Sequence, residues 1–252
     1  MRFACNRAGP FTRRKPQMLN PVNNRKSGKA RVLIVDDQPV VRERLGALIA
    51  NEPDLGLCGD TDNPRSAFDL VAHEKPDVVI TGLSLKDAHG LEFIKDLRVR
   101  YPQVRVLVFS MYDESLYAER TIRAGASGFV SKQEPTTELL RAIRHVLKED
   151  IYLSERITGH AMRRFFSRSS FGPGSDLEHL SDRELEIFEL IGRGRSSRQV
   201  AEVLHINVKT VETYRCRIKN KLKVSCASEL VRRAQQSIEQ IILSRARIQD
   251  SL

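Results

Sequence analysis

VRVLVFSMYDESLYAERTIRAGASGFVSK (104–132) decides the fold of this chain. It opens with the apolar run VRVLVF (104–109). A segment of helical period follows over 113–124, and a second short apolar run, GFV, fills 128–130. A strand, a helix and a strand so closely spaced form a parallel crossover unit, because parallel strands cannot be joined by a tight turn.

The same unit repeats outward from this point. RVLIV (31–35), LGLCG (55–59) and DVVIT (77–81) are further short apolar runs, and periodic segments over 39–51, 64–75, 90–100 and 135–148 complete the alternation. Five strands alternating with five helices predict an α/β doubly wound five-stranded parallel sheet. Near-continuous apolar runs fit strands buried on both faces. In such a sheet, functional groups gather at the carboxyl ends of the strands.

The flanks differ in kind. Residues 1–29 carry Arg2, Arg7, Arg13, Arg14, Lys15, Arg25, Lys26 and Lys29, no acid, three prolines and no period. That composition predicts a disordered basic tail. Residues 30–150 form the sheet domain. Residues 151–177, with Arg156, Arg163, Arg164, Arg168 and Gly172-Pro173-Gly174, read as a connector. An all-helical domain follows over 178–238, with a helical extension over 239–252.

Of the 252 residues, 40% are hydrophobic and 29% charged, an ordinary globular balance. The net charge is +10 and the pI about 9.7, which suits a polyanionic partner. Cys5, Cys58, Cys216 and Cys226 form no C-x-x-C pair or zinc-type cluster. They read as reduced thiols of a cytoplasmic protein. No apolar stretch is long enough to span a membrane, and the basic N-terminus lacks the apolar core of a signal peptide.

Two constellations carry chemistry. The first strand ends in Asp36-Asp37, the fourth in Ser110, and the fifth leads to Lys132. Paired carboxylates bind a hard cation, and a hydroxyl with an ammonium binds phosphoryl oxygens. The second lies in LSDRELEIFELIGRGRSSRQVAEVLHINVKTVETYRCRIKNKLKV (180–224). Ser181 to Glu184 is a capping box, Ser196 to Gln199 is another, and Asn207 caps a third helix. Helices are expected over 182–193, 197–204, 208–222 and from 226 to 238 or beyond. The third places Val211, Ile218 and Leu222 inward. Its other faces carry Lys209, Arg215, Arg217, Lys219 and Lys221 against the single acid Glu212. A helix, a short turn and a basic helix is the helix-turn-helix plan, whose second helix enters the major groove.

At these residues the chain resembles known families. LIVDDQPVVRERL, PDVVI, VLVFSMYDESLYAERTIRAGASGFVSK and TELLRAI resemble the receiver domain of two-component response regulators. The resemblance implies that Asp36 and Asp37 are the acidic pair, with Asp37 the metal ligand. It makes Ser110 the switch hydroxyl, Phe129 the switch aromatic and Lys132 the phosphate contact. It also implies a sensor histidine kinase as partner. One position departs from the pattern. The family's phosphoacceptor aspartate ends the third strand, eight residues before the loop glycine, and PDVVITGLSLKDAHGLEF puts Gly82 there. Glycine offers no nucleophile. Asp87, five positions on, is poorly placed for in-line attack. The departure implies a degenerate receiver with a weak magnesium site and no required cofactor.

L-S-x-R-E-x-E, K-T-V-E-T and R-I-x-x-K-L resemble the LuxR-type helix-turn-helix of NarL/FixJ response regulators. The resemblance implies that Ser197, Lys209, Thr210, Thr213, Tyr214, Arg217 and Lys221 face DNA, with Tyr214 replacing a family-typical histidine. It also implies a homodimer through the last helix, around Leu230. The expected function is a DNA-binding transcription regulator, not an enzyme. Two mechanisms stay open, phosphorylation through another acceptor and action without phosphorylation; Gly82 favours the second. A protein-interaction adaptor is a third reading, which the basic third helix opposes.

Overall fold

The computed structural model describes residues 28–86, 88–148, 151–154, 157–158 and 177–249. The tail before residue 28, Asp87 and most of the 151–177 connector lie outside the described residues. The first half runs β1 (Ala30–Val35), α1 (Pro39–Ala50), β2 (Leu55–Thr61), α2 (Pro64–Glu74), β3 (Val78–Thr81), β4 (Ser84–Leu85), β5 (Ala88–His89), α3 (Gly90–Arg100), β6 (Arg105–Ser110), α4 (Glu114–Ala124), β7 (Gly128–Ser131) and α5 (Thr136–Leu147). The second half runs α6 (Asp182–Gly192), α7 (Ser197–Val203), α8 (Val208–Leu222) and α9 (Ala227–Gln249), after a 3-10 turn over Leu177–His179.

The main sheet is parallel, in the order β2-β1-β3-β6-β7. Alternate residues serve its two faces, as the two-residue period of a strand requires. Val32, Ile34, Val78, Ile80 and Leu107 pack with Leu45 and Ile49 of α1 and Leu139, Ile143 and Val146 of α5. Leu33, Val35, Val79, Val106 and Val108 pack the other way, with Val71 of α2, Leu91, Ile94 and Leu97 of α3, and Tyr117 of α4. Each such aliphatic side chain contributes about 1.5–3 kcal/mol when fully buried.

Two features depart from the expected pattern. LGLCG is not buried on both faces: the middle residues of the edge strand β2 are partly open to solvent, and Leu57 is exposed. The segment after β3 forms a small antiparallel hairpin, Ser84↔His89 and Leu85↔Ala88. Two residues per strand give it no periodic signal. Gly90 lets this hairpin fold back on α3, since a Cβ there would lie 2.6 Å from both the Gly82 carbonyl oxygen and Leu83 Cα.

In the helical half, both expected capping boxes form, Ser181 with Glu184 and Ser196 with Gln199. Asn207 accepts the Lys209 N–H at 2.8 Å. His205 takes φ 51° in the tight turn between α7 and α8. α9 is continuous through Gln249, in line with the expected extension, and its Leu230 is fully buried in its own domain, so the expected pairing face around Leu230 is not centred on that side chain.

Candidate functional site

The carboxyl ends of the strands come together because the ladders are in register. Val35 pairs with Thr81, Thr81 with Val108, and Ser110 with Ser131. One residue beyond, the Gly82 N–H donates to Val35 O at 2.9 Å and the Lys132 N–H to Ser110 O at 2.8 Å. Asp36, Gly82, Ser110 and Lys132 therefore stand side by side.

The pocket is engaged with itself. Lys132 Nζ lies 2.7 Å from Asp36 Oδ2, and Asp36 Oδ1 accepts the Gln38 N–H at 3.0 Å. Asp36 is only 2% exposed, so the ion pair is shielded from water. Asp37 is half-buried. Burial, and then the Asp36 charge, push its pKa above the ordinary carboxylate value. Ser110 Oγ accepts the Tyr112 N–H at 3.2 Å. Phe129 is fully buried beneath the pocket. A Cβ at Gly82 would meet Asp36 Oδ2 at 3.0 Å and Ser84 O at 3.3 Å. As a magnesium site the donor set fits poorly. The carboxylates are two, one is held by Lys132, and among the described residues no three His, Cys, Asp or Glu side chains cluster to hold a metal.

The basic helix presents its charge outward. Val211, Ile218 and Leu222 of α8 are buried, while Lys209, Thr210, Thr213, Arg217 and Lys221 are exposed. Tyr214 is half-buried, with the Arg217 guanidinium 5.6 Å from its ring centroid. Two expected contacts are already bonded within the domain. Ser197 Oγ donates to Glu212 at 2.5 Å and accepts from Arg215 at 3.0 Å. Lys221 Nζ lies 2.6 Å from Glu184. Burial would raise Glu184, but hydrogen bonds from Lys221 and Ser181 outweigh it and hold the pKa below its ordinary value.

One arrangement is absent from any sequence signal. Residues 184–191 of α6 are buried on every face. One side packs in its own domain, and the other docks on the sheet domain. Arg120 of α4 donates to Leu177 O and Leu180 O, each at 2.9 Å, and to Asp182 at 3.0 Å. Lys95 of α3 adds a contact to Asp182 at 3.2 Å. The Tyr112 hydroxyl donates to Glu186. Beside this contact is a cavity of about 510 Å³ lined by Asp37, Gly82, Ser110 and Lys132 on one side and by Arg193, Glu202 and His205 on the other. Glu186 and Glu189 sit three apart on one helical face, a spacing equally suited to a solvated face.

A doubly wound sheet with an acidic pair, hydroxyl and lysine at its strand ends, joined to a helix-turn-helix, defines a response regulator with a DNA-binding output domain. The chain belongs to that family. Residues 32–144 match the family described as "Response regulator receiver domain", and residues 178–234 match "Bacterial regulatory proteins, luxR family". The oxygen regulatory protein NreC of Staphylococcus haemolyticus is 31% identical over 205 residues, covering 80% of this chain and 94% of that protein. The transcriptional regulatory protein DegU of Brevibacillus brevis is 28% identical over 216 residues, covering 81% and 92%. Among solved structures, RcsB of Salmonella enterica serovar Typhimurium, bound to promoter rprA with a phosphomimetic, shares the fold. Its TM-score is 0.56 at 20% identity, over 82% of this chain and 98% of that one. A LuxR-family response regulator from Aurantimonas sp. SI85-9A1 matches at TM-score 0.51 and 32% identity, over 54% of this chain and 99% of that one.

Proposed function

We propose that this chain is a cytoplasmic regulator of transcription that binds double-stranded DNA as a homodimer and acts without aspartyl phosphorylation of its receiver domain. The observation that carries this reading is Gly82 at the end of β3, where the expected carboxylate would stand between Asp36 and Lys132. Lys132 instead neutralises Asp36, and none of Asp36, Asp37, Ser110 and Lys132 stands at the end of β3, where the attacking carboxylate belongs. Magnesium is not required, and any binding through Asp36 and Asp37 is weak. A sensor histidine kinase, where one is present, acts by binding rather than by phosphoryl transfer. DNA is met by α8, with Lys209, Thr210, Thr213, Tyr214 and Arg217 turned to the duplex and Ser197 and Lys221 at its margins. Homologous regulators named for transcriptional roles support this output.

The test is intact mass after incubation with acetyl phosphate and magnesium. The mass stays unchanged. A base-labile gain of one phosphoryl group, abolished by Asp87→Ala, would show that the loop aspartate is the acceptor.

A further inference from the structure

Glu186 is only 1% exposed and is held by the loop after β6 and by Arg183 of its own helix. Its Oε1 accepts the Tyr112 hydroxyl hydrogen. Its Oε2 accepts from Arg183 Nη1 at 2.6 Å and lies 3.4 Å from His89 Nε2. His89 Nδ1 accepts the Leu91 N–H at 3.2 Å at the start of α3. Nδ1 is therefore the unprotonated nitrogen of the neutral ring, and Nε2, buried and without a hydrogen-bond partner, faces the Glu186 carboxylate across 3.4 Å.

Tyr112 and His89 belong to different loops, and each loop begins at the strand-end pocket. Tyr112 follows Ser110 by two residues and is tied to it, since its N–H donates to Ser110 Oγ. Its ring stacks on Tyr117 of α4 at 4.9 Å, which fixes the direction of the hydroxyl. His89 closes the short hairpin that starts at Gly82, and the next N–H, of Gly90, donates to Leu83 O at 2.9 Å. A displacement at Ser110 thus moves a hydroxyl bonded to this carboxylate, and one at Gly82 moves an imidazole packed against it. A charge buried to this depth tolerates no lost partner, because the remaining bonds cannot replace water.

We propose that Glu186 is the joint through which the receiver pocket sets the position of the output domain, with Tyr112 and His89 as positioning residues. The joint directs α8 rather than hiding it, since Lys209, Thr210, Thr213 and Arg217 stay exposed while the domains are docked. It operates on any event that moves the pocket loops, and so does not depend on how the pocket is triggered.

The test uses the full chain and small-angle X-ray scattering to read the ratio of docked to open molecules. Tyr112→Phe removes one hydroxyl and little volume, and Glu186→Gln removes the charge with its shape kept. Each lowers the docked-to-open ratio about tenfold or more. Glu43→Ala, exposed on α1 on the opposite face of the sheet, leaves the ratio unchanged. Ser110→Ala alters the ratio in the wild-type background and has no further effect with Tyr112→Phe, the non-additivity expected of residues in one chain of contacts. Far-UV circular dichroism checks that each variant is folded. Scattering of Tyr112→Phe identical to wild type overturns the proposal, as does an equal effect of Ser110→Ala in both backgrounds.

Discussion

Lys132 Nζ stands 2.7 Å from Asp36 Oδ2, so this ammonium is bound to the carboxylate nearest Gly82. A side chain at position 82 would begin 3.0 Å from that same oxygen. The pocket is therefore closed electrostatically as well as chemically. An acceptor carboxylate at 82 would compete with Asp36 for the lysine.

Gly82→Asp should restore labelling by acetyl phosphate in the presence of magnesium. The new carboxylate supplies the missing nucleophile and a third cation ligand beside Asp36 and Asp37. Without magnesium, three neighbouring carboxylates repel, and the variant melts below wild type. With magnesium the difference shrinks. Mass spectrometry and thermal melts with and without the cation check both halves. An unlabelled variant that gains no stability from magnesium would mean the pocket has lost more than its acceptor.

Neutralising Arg215, Arg217 and Lys221 together should weaken binding to every DNA sequence and flatten its salt dependence. Each lost phosphate contact lowers the slope of log affinity against log salt by about one. Lys221 has to leave Glu184, 2.6 Å away, to reach a phosphate. Lys221→Ala alone should thus affect the slope less than Arg217→Ala. Fluorescence anisotropy across a salt series distinguishes the two, and an unchanged triple variant would sink the assignment of α8.

Glu189 makes the folded state sensitive to pH. Burial pushes its pKa from the ordinary 4.5 up to about 7, the Asp113 charge adds to the rise, and Arg193 at 2.5 Å opposes it. The native state holds this proton more tightly than the unfolded one. Its stabilisation is fully present below about 4.5 and is lost as pH rises to about 7. The span corresponds to roughly 3 kcal/mol at most. Burial lowers His89, which acts in the opposite sense as pH falls below its ordinary value. The comparison is therefore between wild type and Glu189→Gln, in which His89 is common. Wild type should lose stability relative to the variant between pH 5 and 7.5 in denaturant titrations. A difference constant over that range would place Glu189 in water.

Gly192→Ala should destabilise the output domain by about 1–3 kcal/mol, the usual effect of overpacking. α9 crosses α6 at this residue so closely that a Cβ would lie 2.6 Å from Ala234 O and 2.7 Å from Ile238 Cγ1. The backbone oxygen cannot swing away as a side chain can. Denaturant unfolding should show the loss in the output-domain transition.

Much of this protein is written locally. Each apolar run of the receiver domain is bounded by turn residues and followed by a periodic segment, and each helix of the output domain after the connector begins with a polar cap or follows one. Such signals act within a few residues, so the order of strands and helices, the Gly82 departure and the basic face of α8 could be read from the chain alone. The exposed edge of β2 could not, because which strand lies outermost depends on the whole sheet. The hairpin at Ser84–His89 carries too few residues for a period. The ion pair of Lys132 with Asp36 joins positions 96 residues apart, and the pairing of Tyr112 with Glu186 joins positions 74 apart. Only the packed structure decided those. A glutamate on a capped helix reads as solvated until another domain covers it, and no local pattern records which surface will.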